Sequence, residues 1–293
     1  MEKIPEKVFK KIKKFEIVAK ENVLDKFSGM YRSAFKGKGI ELNDIREFQP
    51  DDDIRDISWS KTAQMGRPFV KTFHEERDLT VIIMVDISSS LNFRSHYESK
   101  RERIAEISAL IAFSGVYNHD KIGLILFSNE IEKYIPPKRG EQHTVRLIID
   151  LLVYEPTNKV TDIAKALRFL NTVFHKRSII FLLSDFISPP YSKEFLITAK
   201  KNDLIPIRIL DPEEESLNIP GLTHMVDLET KKVMLVDINK KVQEEYKENY
   251  DNAKKMLLEL STKMNIGTID ITTYGPYKHL IQAYFNMRKR HKH

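Results

Sequence analysis

The chain has 293 residues, a length that suits one large α/β domain with an appendage, or two small domains. Hydrophobic residues make up 41%, enough for a substantial core, while 10 Gly, 12 Pro and no Cys leave little room for low-complexity segments and exclude disulfides, thiolate metal sites and cysteine nucleophiles. The formal net charge of +6 sits largely at the two ends, Lys10-Lys11-Ile12-Lys13-Lys14 and Arg288-Lys289-Arg290-His291-Lys292-His293. No recognition helix, His/Cys zinc pattern or aromatic-rich strand motif accompanies those clusters, so solvated termini account for them better than a nucleic-acid surface.

In chain order, Ile4, Val8, Ile12, Phe15 and Ala19 recur at helical spacing, which predicts an amphipathic helix with a basic outer face from Pro5 to about Phe27. The start, Met-Glu-Lys-Ile-Pro, lacks the apolar core of a signal peptide. Gly37-Lys38-Gly39 breaks the pattern, and the polar stretch 40–78 reads as loops with one or two strands packed on the main domain. Residues 1–78 are therefore expected to form an appendage and 79–293 the main domain.

From Leu79 the rhythm alternates. Strands are expected at Thr80–Val85, Lys121–Phe127, Ser178–Leu183, Leu204–Leu210 and Thr268–Thr272, with a short edge strand at Ile131–Ile135. Between them, Ile104, Ile107, Leu110, Ser114 and Tyr117 mark one helix face, and further helices fit 143–153, 162–174, 192–202, 239–264 and a terminal one from about 278. Pieces near 222–236 read as a hairpin. The apolar runs are far too short to span a bilayer, so no transmembrane segment is expected; together with the missing cysteines this points to a cytoplasmic protein. Alternating strands and helices imply an α/β fold, a doubly wound and mostly parallel sheet with helices on both faces. Ligands of such sheets sit beyond the carboxyl ends of the strands, here after Val85, Phe127, Leu183 and Leu210.

After Val85 stands Asp86-Ile87-Ser88-Ser89-Ser90. Residues two apart project to one side, so the carboxylate of Asp86 and the hydroxyls of Ser88 and Ser90 can converge. Asp185 ends another buried strand, and Thr161 stands at a helix start. Every candidate donor is a hard oxygen, which suits Mg2+ or Mn2+. A plainer account stands beside this one. Asp86 and Asp185 could cap the turns that follow them, and Thr161 could be a helix N-cap with Asp162 favourable to the helix dipole.

The spacing Asp-x-Ser-x-Ser, a distant Thr and a distant strand-end Asp resembles the metal-ion-dependent adhesion site of von Willebrand factor A domains. The stretch from Gly39 to Trp59, with Gly66–Lys71 and His74–Arg77, resembles the bacterial domain-of-unknown-function family 58, a family often linked with MoxR-type AAA+ ATPases. The resemblance implies that Asp86, Ser88 and Ser90 bind the ion, that Thr161 joins them directly in one state, and that Asp185 acts through water. Lys159-Val160 replaces the commoner Gly before the threonine.

The expected function is a non-enzymatic, metal-dependent protein-interaction module. It would bind an acidic residue of a protein partner and serve as adaptor or cofactor for a MoxR-type ATPase. Two alternatives remain open: a metal-assisted hydrolase with Asp162 as the nearby base, and a basic scaffold for nucleic acid or membrane surface. Other motifs carry less. Asp51-Asp52-Asp53 with Asp56 lacks the Gly and closing Glu of a calcium loop, and His74-Glu75-Glu76-Arg77 lacks a second zincin histidine. Ser58-Trp59-Ser60-Lys61 has no companion β-lactamase motif. Trp59 and Phe69 read as packing residues, and Arg46 and Arg55 as partners of neighbouring carboxylates.

Overall fold

Thr80–Asp86 (β3), Lys121–Phe127 (β4), Ile179–Ser184 (β6) and Asp203–Leu210 (β7) form the centre of a six-stranded sheet. The computed structural model describes residues 10, 12–14, 41–50, 52–74, 79–88, 99–156, 160–214, 221–226 and 233–290. The helix expected from Pro5 to Phe27, Gly37–Gly39, Ser90 and the last three residues of the chain lie wholly or largely outside these.

The chain divides into two units, one of them Phe35–Asp78. In that smaller unit, Glu41–Glu47 (β1) and Phe69–His74 (β2) pair antiparallel, and Trp59–Met65 forms a short helix (α1) within the stretch expected to hold only loops and strands. Gly66 ends α1 in the left-handed region at φ 66°, and its N–H donates to the Thr62 carbonyl. Trp59 is 69% exposed and is not the packing residue expected; Val70, at 4%, is buried. Arg46 pairs with Asp52 at 2.6 Å and Arg55 with Asp53 at 2.8 Å, so two carboxylates of the acidic run are taken by local cations.

In the larger unit the sheet order is β10-β7-β6-β3-β4-β5, with Ile131–Lys138 as β5 and Ile269–Thr272 as β10. All neighbours are parallel except β4 and β5. The antiparallel edge strand runs three residues further than expected, through Pro136 and Pro137, which an edge tolerates because one side of it needs no ladder donor. The helices are Lys100–Tyr117 (α2), Glu141–Val153 (α3), Ile163–Val173 (α4), Ser192–Lys201 (α5), Lys240–Lys263 (α6) and Lys278–Arg290 (α7). Gly221–Val226 (β8) and Val233–Ile238 (β9) form the expected hairpin.

Side-chain alternation sorts the layers. Ile82, Met84, Ile125, Phe127, Ile180 and Leu182 pack on one face with Leu167 and Leu170 of α4, Phe195 of α5, and Leu257 and Leu260 of α6. The opposite face is met by α2 and α3. Ile104, Ala105, Ala109, Ile111 and Ala112 of α2 are all buried, so this helix is enclosed on several sides rather than one; Tyr117, expected inward, is 52% exposed. Near the carboxyl terminus Arg288 is not a solvated charge: it is held by Asp203 and by the Tyr284 hydroxyl. Among the described residues no helix is long and apolar enough to cross a membrane.

Candidate metal centre

The chain leaves β3 through α2 toward β4, and leaves β6 through α5 toward β7, which lies on the other side. β3 and β6 are neighbours whose next strands lie on opposite sides, so the strand order reverses between them, and open α/β sheets place ligands at the carboxyl ends of such a pair. Parallel register sets Val85 beside Leu183, which brings Asp86 level with Ser184 at that edge. Asp86 and Ser184 have the same parity as Met84 and Leu182, so they emerge on the face covered by α4. That is the helix that carries Thr161 to the site. Its entry is pinned from both sides: the Asp162 N–H donates to the Ser128 carbonyl at 3.0 Å, and the Ile163 N–H to the Ser188 hydroxyl at 3.2 Å.

The Asp86 carboxylate is fully buried and ringed by donors. The Ser88 N–H reaches Oδ1 at 2.9 Å, the Ser184 hydroxyl reaches Oδ2 at 2.8 Å, and the Thr161 hydroxyl lies 3.2 Å from Oδ2 and 3.4 Å from Oδ1. No cation of the described residues pairs with it. Burial first, and then the nearby Asp185 charge, push its pKa up from 3.8 to about 6, although the Ser88 and Ser184 hydrogen bonds pull the other way.

Asp185, 5% exposed, accepts the Ile187 N–H on Oδ1 at 3.1 Å and the Lys100 ammonium on Oδ2 at 3.3 Å. Phe186, which follows it, sits at φ 63° with its side chain fully buried against Tyr191. A left-handed conformation costs a non-glycine residue roughly 1–2 kcal/mol, and here it turns the chain sharply just beyond the carboxylate. Lys100, 1% exposed, also pairs with Glu214. Burial alone would depress the lysine, but Asp185 and Glu214 outweigh it and raise its pKa; burial lifts Glu214 to about 7 despite that same lysine.

Four of the five residues singled out from sequence, Asp86, Ser88, Thr161 and Asp185, thus meet at one edge of the sheet; Ser90 lies outside the described residues. The turn-capping account holds in part, because Asp86 and Asp185 each accept the N–H two residues on, as Asp211 does after β7. It fails for Thr161. Asp162 is the N-cap of α4, accepting the Lys165 N–H at 2.8 Å, which leaves the threonine hydroxyl for Asp86. Asp162, the base of the hydrolase alternative, accepts that N–H through one of its two carboxylate oxygens. Ser184, Lys100 and Glu214 were not singled out as site residues. Ser184 was readable as a strand-end hydroxyl, whereas the other two carry no local signal.

Among the described residues no three His, Cys, Asp or Glu side chains form a metal-binding group; the remaining donors here are hydroxyls. The residues present fit a small divalent cation: a buried carboxylate without a cationic partner, a second one beside it, and hard-oxygen donors around them.

The model for the family described as "Protein of unknown function DUF58" matches residues 44–256. The chain belongs to this family. Uncharacterised proteins of Mycobacterium tuberculosis and Mycobacterium bovis are 25% identical to the DUF58 chain over 222 residues, 75% of it and 70% of their own length. Solved structures similar to it include a conserved hypothetical protein BatB from Bacteroides thetaiotaomicron, at 18% identity and a TM-score of 0.41 over 64% of this chain and 98% of that one. Another is an aerotolerance-related membrane protein from Bacteroides fragilis, at 15% identity and a TM-score of 0.46 over 73% and 99%.

Proposed function

We propose that this DUF58 protein is a von Willebrand factor A-like interaction module that holds Mg2+ or Mn2+ on Asp86, Ser88 and Ser90, with Thr161 and Asp185 beside them, and binds an acidic residue of a partner protein. The observation that carries the reading is Asp86 itself. A fully buried carboxylate with no cationic partner among the described residues is costly to keep, and a dication at that point removes the cost. When bound, the ion supplies a point charge with a position open to a carboxylate oxygen.

The chain's own groups do the rest. Ser184 and the Ser88 amide fix the orientation of Asp86, Thr161 brings a hydroxyl from the α4 entry, and Asp185 contributes charge at one remove. In this reading the module acts by binding and not by turnover. The resemblance to family 58 supports a MoxR-type AAA+ ATPase as the partner, and the absence of cysteines supports a cytoplasmic setting.

A pulldown of a MoxR-type ATPase on this chain, with Mg2+ and with chelator, tests the reading. Capture by the wild type in Mg2+, lost in chelator and in Asp86→Ala, is the expected result. Capture that ignores both changes overturns it.

A further inference from the structure

A lysine is a strange occupant for the first turn of α2. The helix dipole there disfavours a cation, and burying an ammonium costs several kcal/mol before any pairing. Lys100 nevertheless opens the helix at 1% exposure, and its side chain reaches Asp185 at 3.3 Å and Glu214 on either hand. Because Ile187 and Lys100 take one oxygen each of Asp185, that carboxylate is tethered on both sides. A local folding role would not need the lysine to be tied to this particular aspartate.

We propose that Lys100 is a positioning residue of the site: it holds Asp185 out of direct coordination and offsets its charge, so that metal bound at Asp86 keeps its demand for a carboxylate from outside. The inference rests on the metal reading above. Removing the lysine takes one positive charge from the site and frees an oxygen of Asp185. Metal affinity then rises while affinity for an external carboxylate falls. A merely structural lysine would weaken both or neither.

The full chain is titrated with Mn2+ by electron paramagnetic resonance, and acetate is the carboxylate probe, followed by the relaxation of 13C-acetate near bound Mn2+. For Lys100→Met, Mn2+ binding tightens by about tenfold or more, as one unit charge at short range implies, and the acetate effect drops severalfold. Lys100→Arg keeps the charge and stays near wild type. Because Lys100→Met leaves two buried carboxylates facing each other and can unfold the chain, Glu214→Gln is measured as well. It leaves the lysine to Asp185 alone, so Mn2+ binding weakens and the acetate effect grows.

Mn2+ affinity that is unchanged or weaker in a folded Lys100→Met, or unchanged in Glu214→Gln, overturns the role of Lys100 while leaving the metal site standing. If the wild type binds no Mn2+ that Asp86→Ala removes, both readings fall together.

Discussion

Replacing Asp86 by asparagine in the metal-free chain is expected to stabilise the fold. The carboxyl pKa rises from 3.8 to about 6, through burial first and the Asp185 charge second. A rise of that size corresponds to about 3 kcal/mol. The sign follows from proton counts. Between about pH 4 and 6 the folded chain holds a proton at Asp86 that the unfolded chain has lost, so stability falls as pH rises through this window and stays lower above it. Asparagine is neutral throughout and keeps an acceptor for the Ser88 amide, and the Ser184 and Thr161 hydroxyls can rotate to meet its amide group. About 3 kcal/mol is a ceiling, since those contacts were set for a carboxylate. The assay is thermal unfolding in chelator from pH 3.5 to 8. Asp86→Asn should melt several degrees above wild type at pH 7, and the two curves should converge near pH 4. Mg2+ should raise the wild type alone, by mass action on the folded state. A variant that melts below wild type at pH 7, or a gap that does not change with pH, would refute the reasoning.

Thr161→Val keeps the volume of a 4%-exposed residue and removes the hydroxyl aimed at Asp86. It should weaken Mn2+ binding and cost about 1–3 kcal/mol of stability, because a buried carboxylate loses a donor, and Thr161→Ser should restore the affinity. Leu167→Ala empties a fully buried position on α4 and should cost about 2–5 kcal/mol in denaturant unfolding. Gly123→Ala would set a Cβ 2.9 Å from Ile82 and 3.1 Å from the Pro137 backbone, so the edge strand must shift, at about 1–3 kcal/mol by the same measurement. Asp270→Ala strips the bidentate partner from Arg208, itself 3% exposed. With the carboxylate half open to water, the loss should be about 1–3 kcal/mol.

The sheet was legible because its strands are written as uninterrupted apolar runs. Ile179–Ser184 is buried at every position, and no polar alternation or helical spacing competes with that pattern. The short helix Trp59–Met65 was not legible, since it has no buried residue and hence no repeat to read. Asp86 and Asp185 stood out as carboxylates at the ends of such runs, and the strand rhythm alone placed them on one edge. That they are neighbours depends on β6 returning beside β3, which is a property of the sheet order and not of any local segment. Ser184 became a partner of Asp86 for this reason. Lys100 lay outside any reading of the chain. It looks like one more basic residue in Lys100-Arg101-Glu102-Arg103, and its carboxylates arrive from remote loops.

The claim at the centre is that Asp86 and its neighbours hold one divalent ion. A Mn2+ titration of the full chain, followed by electron paramagnetic resonance, addresses it directly. One bound ion per chain, displaced by Mg2+ and absent from Asp86→Ala, is the predicted result. The same stoichiometry in Asp86→Ala, or no binding by wild type at millimolar Mn2+, would contradict it.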